Sequence, residues 1–248
     1  MESKEGREAL IITGEDALDN SLDKEDWAFQ GSNQEIRALV DAYLAKIQAD
    51  FPTLIVNSGI GSSAITKRLD WLDFLSDESN YTPKWSMPQS GLASISSTLN
   101  TRNSAPESVA HMEKLLFLLG LAIAHELVHL FIGRMTGLST VHTPGKVSSK
   151  SGSRSDLSRV IGESGDYWEW IWFGKVRIEA YRNNKQRLAH DQALDLYSVD
   201  MSSSGKSYIL PQDWVSNALR FKFTFPLNMA TNPFKPPSTG SNTMLKKP

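Results

Sequence analysis

The chain contains no cysteine among its 248 residues. This absence excludes a disulfide framework, a cysteine nucleophile and every thiolate metal site. Neither sign of charge is in large excess, since 26 Lys and Arg residues face 28 Asp and Glu residues for a net charge of −2. Because dedicated nucleic-acid binders usually carry a marked basic excess, we expect no nucleic-acid partner.

The sequence also lacks long apolar runs. No apolar stretch of 18 residues is free of charged side chains, so we predict no membrane span. The first 20 residues mix acidic and basic side chains and contain no apolar core of the length found in secretory signals. We therefore expect an intracellular protein, with the composition of an ordinary globular domain at 40% hydrophobic residues.

Hydrophobic periodicity divides the chain into three parts. Residues 1–30 form a lead-in arm with room for one strand, residues 31–225 a folded domain, and residues 226–248 a disordered tail. Ser32 and Glu35 make a capping box for a helix that ends before Pro52. We further expect helices over 63–75, 162–173 and 213–221, loops over 77–91 and 138–160, and strands over 53–56, 91–99 and 176–181.

The strongest predicted helix begins at Ser104 and ends at Gly137. Ser104 and Glu107 form a second capping box, and Pro106 suits the first turn. Residues 115–132 are apolar nearly all round, which is typical of a helix at the centre of a domain.

That helix contains His125-Glu126-Leu127-Val128-His129, an HExxH motif. Four residues advance an α-helix by slightly more than one turn, so the two imidazoles lie on one face and can bind one zinc ion. Glu126 is rotated by about 100° from His125, close to the metal without facing it. There it can take a proton from the water that the zinc activates. The alternative is a pair of core histidines that hydrogen-bond to the backbone.

The motif and its uncharged flanks resemble the extended signature of the zincin metallopeptidases. Ile132 and Met135 stand where a metzincin would have glycine and histidine, so the chain resembles the gluzincin plan, in which a downstream glutamate completes the zinc site. The stretch 162–169 is also similar to a segment of fungal HExxH proteins. The resemblance implies an α+β, zincin-like fold, with a small sheet packed on the HExxH helix. It also implies that residues 91–99 pair with an extended substrate.

The resemblance implies Glu163 as the third zinc ligand, 34 residues after His129, with Glu169 as the alternative. On a continuous helix Asp166 and Tyr167 share the face of Glu163, so Asp166 is expected to orient a histidine from outside the ligand set. Glu169 lies about 120° off that face and is expected to be nearly neutral for metal binding.

Three further residues are candidates for stabilising the oxyanion of the reaction. They are Tyr167, Tyr181 and His142, although each tyrosine can equally be a core residue and His142 a solvated loop residue. The function implied is zinc-dependent hydrolysis of a peptide or protein substrate, with the 138–160 loop restricting access. The alternative is a zincin-like protein that binds zinc, or an interaction partner, without proteolysis.

Overall fold

The computed structural model describes residues 1–21, 25, 27–56, 65–67, 84–87, 106–137, 143–144, 147, 162–182, 194–200, 207–223 and 225. In these ranges the helices are α1 (Lys4–Asn20), α2 (Asn33–Ala49), α3 (Pro106–Thr136), α4 (Ser164–Trp172) and α5 (Gln212–Leu219). The strands are β1 (Thr53–Val56), β2 (Ile65–Lys67), β3 (Lys84–Met87), β4 (Val176–Arg182), β5 (Leu194–Asp200) and β6 (Ser207–Ile209).

The N-terminal segment is a core helix. The Ser3 hydroxyl caps α1 by accepting a hydrogen bond from the Gly6 backbone N–H at 3.0 Å. Leu10 and Ile11 are fully buried in the main hydrophobic cluster. The indole N–H of Trp168 on α4 donates to the Gly6 carbonyl at 3.0 Å. The predicted arm with at most one strand is therefore wrong for these residues.

Helix α2 matches its prediction from the capping box to the last turn. The Ser32 backbone N–H donates to the Glu35 carboxylate at 2.8 Å, which completes the box. The buried Tyr43 hydroxyl donates to the Leu127 carbonyl at 2.6 Å, and its ring lies 5.3 Å from that of Phe131. These contacts fix α2 against the part of α3 that carries the HExxH motif.

Helix α3 ends at the predicted glycine. Gly137 adopts a φ of +68°, and its N–H donates to the Gly133 carbonyl at 2.9 Å. The carbonyls of Met135 and Thr136, in the last turn of the helix, accept backbone hydrogen bonds from Phe29 and Ala28 respectively. The segment before α2 therefore caps the end of the motif helix.

By length and composition alone, α3 could also cross a membrane. The most apolar 18 residues within Val109–Thr136 have a mean hydropathy of 2.1, and half of them are buried inside the fold. A helix at the centre of a domain has the same composition. The sequence analysis excluded a membrane span because it required a stretch without any charged residue. Val109–Thr136 contains a few charged residues but is still apolar enough on average.

The described strands form two three-stranded sheets. One has the order β1-β3-β2, with β1 parallel and β2 antiparallel to β3; the other is the antiparallel set β4-β5-β6. The predicted strands at 53–56 and 176–181 are confirmed. Residues 65–67 are a strand where a helix was predicted, and residues 84–87 are a strand where a loop was predicted. The predicted strand at 91–99 and the C-terminal tail lie outside the described residues.

The expected α+β, zincin-like fold with a small sheet packed on the HExxH helix is wrong. Helices contain most of the residues that the structure describes, and α3 packs mainly against α4 and α5, with smaller contacts to α1, β2 and β5. The physical reason is the apolar surface that surrounds α3. Such a helix can be covered from several sides by other helices and does not require a sheet beneath it.

Candidate metal centre

The two motif histidines converge through their Nε2 atoms. His125 and His129 lie one turn apart on α3, with His125 buried and His129 partly buried. Their Nε2 atoms are 3.3 Å apart and their ring centroids 5.0 Å apart. The structure therefore places the two imidazoles on one face, as the motif spacing predicts.

Glu163 reaches both histidines from the start of α4. It is the N-cap residue of this helix, and its Oε2 accepts a hydrogen bond from the Asp166 backbone N–H at 2.8 Å. The same Oε2 lies 3.2 Å from His125 Nε2, while Oε1 contacts His129 Nε2. The prediction that Glu163 lies inside a helix over 162–173 is wrong, because α4 begins at Ser164.

The electrostatics of Glu163 favour its charged form. Burial alone would raise the pKa of this carboxyl group, but hydrogen bonds from His125 and His129, and the charge of those rings, hold the pKa well below its ordinary value. The side chain therefore presents a carboxylate to the two Nε2 atoms.

Glu169 holds the outer nitrogen of His125. Its Oε1 lies 2.7 Å from His125 Nδ1, and the residue is only 1% exposed. Asp166, predicted for this role, has its nearest carboxylate oxygen 3.8 Å from the same nitrogen. Ranking the acidic residues by their rotation about the helix, starting from Glu163, did not predict this arrangement. In the structure it is Gly165 that packs against the His125 ring. Glu169 follows it by one turn on the same side of α4.

Ser164 holds the outer nitrogen of His129. Its fully buried Oγ lies 3.0 Å from His129 Nδ1 and accepts a hydrogen bond of 3.3 Å from the Thr143 hydroxyl. The sequence analysis missed both hydroxyl residues. Ser164 directly follows the ligand candidate Glu163, and this position could have indicated that Ser164 lies at the site. Nothing in the sequence indicates that Thr143 lies there.

The donor atoms fit a metal ion. To bind a metal ion, each ring would keep its proton on Nδ1, toward Glu169 or Ser164, and would offer Nε2 as an acceptor in place of its hydrogen bond to Glu163. Three acceptors facing one another are stabilised by a cation. Zinc bonded to nitrogen at 2.0–2.1 Å in a tetrahedron separates its ligands by about 3.3 Å. The Nε2 atoms of His125 and His129 are 3.3 Å apart, which matches this value, and the Glu163 carboxylate contacts both of them.

Two groups of residues could therefore hold a metal ion. They are His125, His129 and Glu163, and His125, Asp166 and Glu169, each with its donor atoms within 4.8 Å of one another. The groups share His125 through different nitrogens. Because Glu169 already occupies the Nδ1 side at hydrogen-bond distance, the second group is better explained as the outer support of the first.

Gly165 lets α4 approach the His125 ring. A Cβ at this position would lie 2.4 Å from His125 Cδ2, well inside contact distance. Replacing Gly165 by alanine is therefore expected to displace the ring or the helix, to lower stability by about 1–3 kcal/mol and to weaken zinc binding by more than about tenfold. Thermal unfolding and zinc competition titration measure the two effects.

Gly120→Ala is the matched control for this prediction. Gly120 lies on α3 with no atom within 4 Å of its added Cβ, so alanine is expected to stabilise the helix by up to about 1 kcal/mol. Its zinc affinity should equal that of the wild type. Equal zinc affinity for Gly165→Ala would contradict the close packing of α4 on the ring.

The remaining candidates have different surroundings. Glu126 is buried on α3, next to His125 in the chain. The Tyr167 hydroxyl donates to Asp16 on α1, and burial together with this bond raises its pKa, so Tyr167 is engaged away from the histidines. Tyr181 lies on β4 opposite Asp195, but its side chain is outside the described part of the structure. His142 is outside the described residues altogether.

Two segments of the chain therefore provide all the donor atoms of the described site. One is the HExxH turn of α3, and the other is the beginning of α4 from residue 163 to residue 169. No protein-family model, no curated protein and no solved structure matches this chain.

Proposed function

We propose that this protein is a zinc-dependent metallopeptidase that hydrolyses peptide bonds with a metal-activated water. The observation that carries the proposal is the convergence of His125 Nε2, His129 Nε2 and the Glu163 carboxylate. The motif also supplies a buried glutamate, Glu126, next to His125 in the chain. Two imidazoles and one carboxylate form a common ligand set of catalytic zinc. When bound, zinc polarises a carbonyl group and lowers the pKa of a water molecule toward about 7.

Glu163 is arranged to bind through one oxygen. Its Oε2 accepts a hydrogen bond from the Asp166 backbone N–H at 2.8 Å, so binding through Oε1 alone would leave this helix cap intact. Three single-atom protein ligands leave a fourth position open in a tetrahedral site. An open position is typical of catalytic zinc, whereas structural zinc is usually enclosed by four protein ligands. This arrangement favours catalysis over a purely structural role.

Glu126 is the proposed general base and acid. It accepts one proton from the attacking water, whose oxygen forms the new bond to the carbonyl carbon of the substrate. The carbon–nitrogen bond then breaks, and Glu126 delivers the proton to the leaving amine. The products are a carboxyl group and an amine, and the carboxylate of Glu126 is regenerated.

The outer contacts support this assignment of roles. Glu169 and Ser164 each engage the Nδ1 atom of one histidine, which directs both Nε2 atoms to the same point. Buried polar partners of this kind keep ligand geometry constant during turnover. We propose a peptide or unfolded protein as substrate, and neither a nucleic acid nor a membrane as partner, with α3 acting as a core helix.

The test of this function is metal-dependent cleavage of an unfolded protein such as reduced, alkylated casein. We expect wild-type protein to generate new amino termini, to lose this activity after treatment with a zinc chelator and to regain it with stoichiometric zinc. Cleavage that persists in chelator would contradict the proposal. Zinc uptake without any cleavage would favour the non-proteolytic zinc protein that is the alternative.

A further inference from the structure

We infer that two buried hydroxyl groups, those of Thr143 and Ser164, position His129 for the metal. This makes Thr143, with the nearby residues Pro144 and Val147, part of the centre, although these residues lie outside both ligand-bearing segments. The inference rests on the proposed metal site and deepens it. It assigns two positioning residues and predicts that a change at Thr143 alters zinc affinity.

The first of the two contacts joins Ser164 to His129. Ser164 Oγ lies 3.0 Å from His129 Nδ1, and Ser164 has no exposed surface. An imidazole that binds metal through Nε2 carries its proton on Nδ1, and that proton needs an acceptor when water is excluded. The Ser164 oxygen is the acceptor at hydrogen-bond distance.

The second contact, from Thr143 to Ser164, orients the serine hydroxyl. The Thr143 hydroxyl donates to Ser164 Oγ at 3.3 Å, and both residues are buried. A serine hydroxyl rotates freely unless a neighbour fixes it. By donating to Ser164, Thr143 directs the remaining lone pair of that oxygen toward His129.

Backbone hydrogen bonds hold Thr143 and Val147 against the segment that carries the third ligand. The Gly162 N–H donates to the Thr143 carbonyl at 2.8 Å, and the Glu163 N–H donates to the Val147 carbonyl at 2.9 Å. The Val147 N–H donates to the Pro144 carbonyl at 2.8 Å. A Cβ on Gly162 would lie 2.0 Å from the Pro144 oxygen, so only glycine permits this approach. Thr143 thus contacts Ser164 through its hydroxyl, and Val147 contacts the backbone of Glu163.

The experiment compares zinc affinities by competition with a chelating dye. Ser164→Ala should weaken zinc binding by about 10–100-fold, the usual effect of removing an outer partner of a ligand. Thr143→Val keeps the shape and removes the hydroxyl, and should weaken binding by roughly two- to tenfold, as for one hydrogen bond. Thr143→Ser restores the hydroxyl and should restore the affinity.

A second readout separates positioning from general stability. In zinc-loaded wild-type protein, the Nδ1–H proton of His129 is expected to give an NMR signal that exchanges slowly with water, and this protection should be lost in Ser164→Ala. Thr13→Val is the control. It removes another buried hydroxyl, one that bonds to the Ala9 carbonyl on α1, and should leave zinc affinity unchanged.

Zinc affinities of Thr143→Val and Ser164→Ala within twofold of the wild type would overturn the inference and leave the metal site intact. Rapid exchange of the His129 Nδ1–H proton in the wild type would overturn it as well, and needs no variant that folds. A wild-type protein that takes up no zinc would instead contradict the metal site itself, and the inference with it.

Discussion

Replacing Glu126 by glutamine is expected to lower kcat for peptide hydrolysis by about 10²–10⁴-fold while zinc stays bound. Glutamine keeps the size and the hydrogen-bonding capacity of the side chain but cannot accept the proton of the attacking water. Since His125, His129 and Glu163 are unchanged, metal affinity should remain near that of the wild type. Cleavage kinetics and zinc content are measured on the same preparation.

Glu113→Gln is the matched control on the same helix. Glu113 accepts hydrogen bonds from Gln212 at 2.8 Å and from Ser216 at 2.6 Å on α5, and a glutamine oxygen can still accept them. This variant should retain both zinc and activity. Wild-type cleavage rates in Glu126→Gln would show that the base is another residue or that the activity comes from a contaminant.

The three acidic residues at the start of α4 should differ in their effects on zinc affinity. Glu163→Ala removes a ligand and should weaken zinc binding by well over 100-fold, more than the loss of an outer partner does. Glu169→Ala should weaken it by about 10–100-fold, because His125 Nδ1 loses its partner at 2.7 Å. Asp166→Ala should have the smallest effect, since its carboxylate lies 3.8 Å from that nitrogen.

Glu169→Gln and Asp166→Asn refine this order. Glutamine keeps an acceptor for the Nδ1–H proton, so Glu169→Gln should recover part of the affinity that alanine loses. Asp166→Asn keeps the backbone N–H that donates to the Glu163 carboxylate, and this variant should bind zinc like the wild type. If Glu169→Ala caused the largest loss of all, Glu169 would be the ligand and Glu163 mainly a helix cap.

The sequence predicts best what depends on local spacing. The HExxH turn, the length of α3 and its end at Gly137 follow from helical periodicity and from the preference of glycine for positive φ. The capping box of α2 is likewise local and is present as predicted. The relative positions of His125 and His129 also follow from local helical spacing.

Helix α1 was missed because its buried face carries little hydrophobic signal. Glycines occupy part of that face, and a Cβ on Gly14 would lie 3.0 Å from Ile36 and 3.1 Å from Phe131. Such close packing of backbones depends on the absence of a side chain, which hydropathy patterns do not register. Hydropathy therefore predicts an arm where the structure has a core helix.

The outer parts of the site depend on tertiary contacts. Glu169 reaches His125 only because Gly165 brings α4 against the ring, and Ser164 meets Thr143 across 21 positions of the chain. Angular ranking within one assumed helix could not include either effect. The ranking also assumed that α4 includes Glu163. Because α4 begins at Ser164, the rotation between Glu163 and Glu169 is not that of one continuous helix.

The central claim is that His125, His129 and Glu163 bind one zinc ion. Native mass spectrometry of protein purified without added metal, and again after zinc is supplied, tests it most directly. We predict one zinc per wild-type chain and almost none in His129→Ala, which removes a ligand from the centre of the site. A wild-type chain that remains metal-free after zinc is supplied, or a His129→Ala variant that retains a full equivalent, would contradict the account.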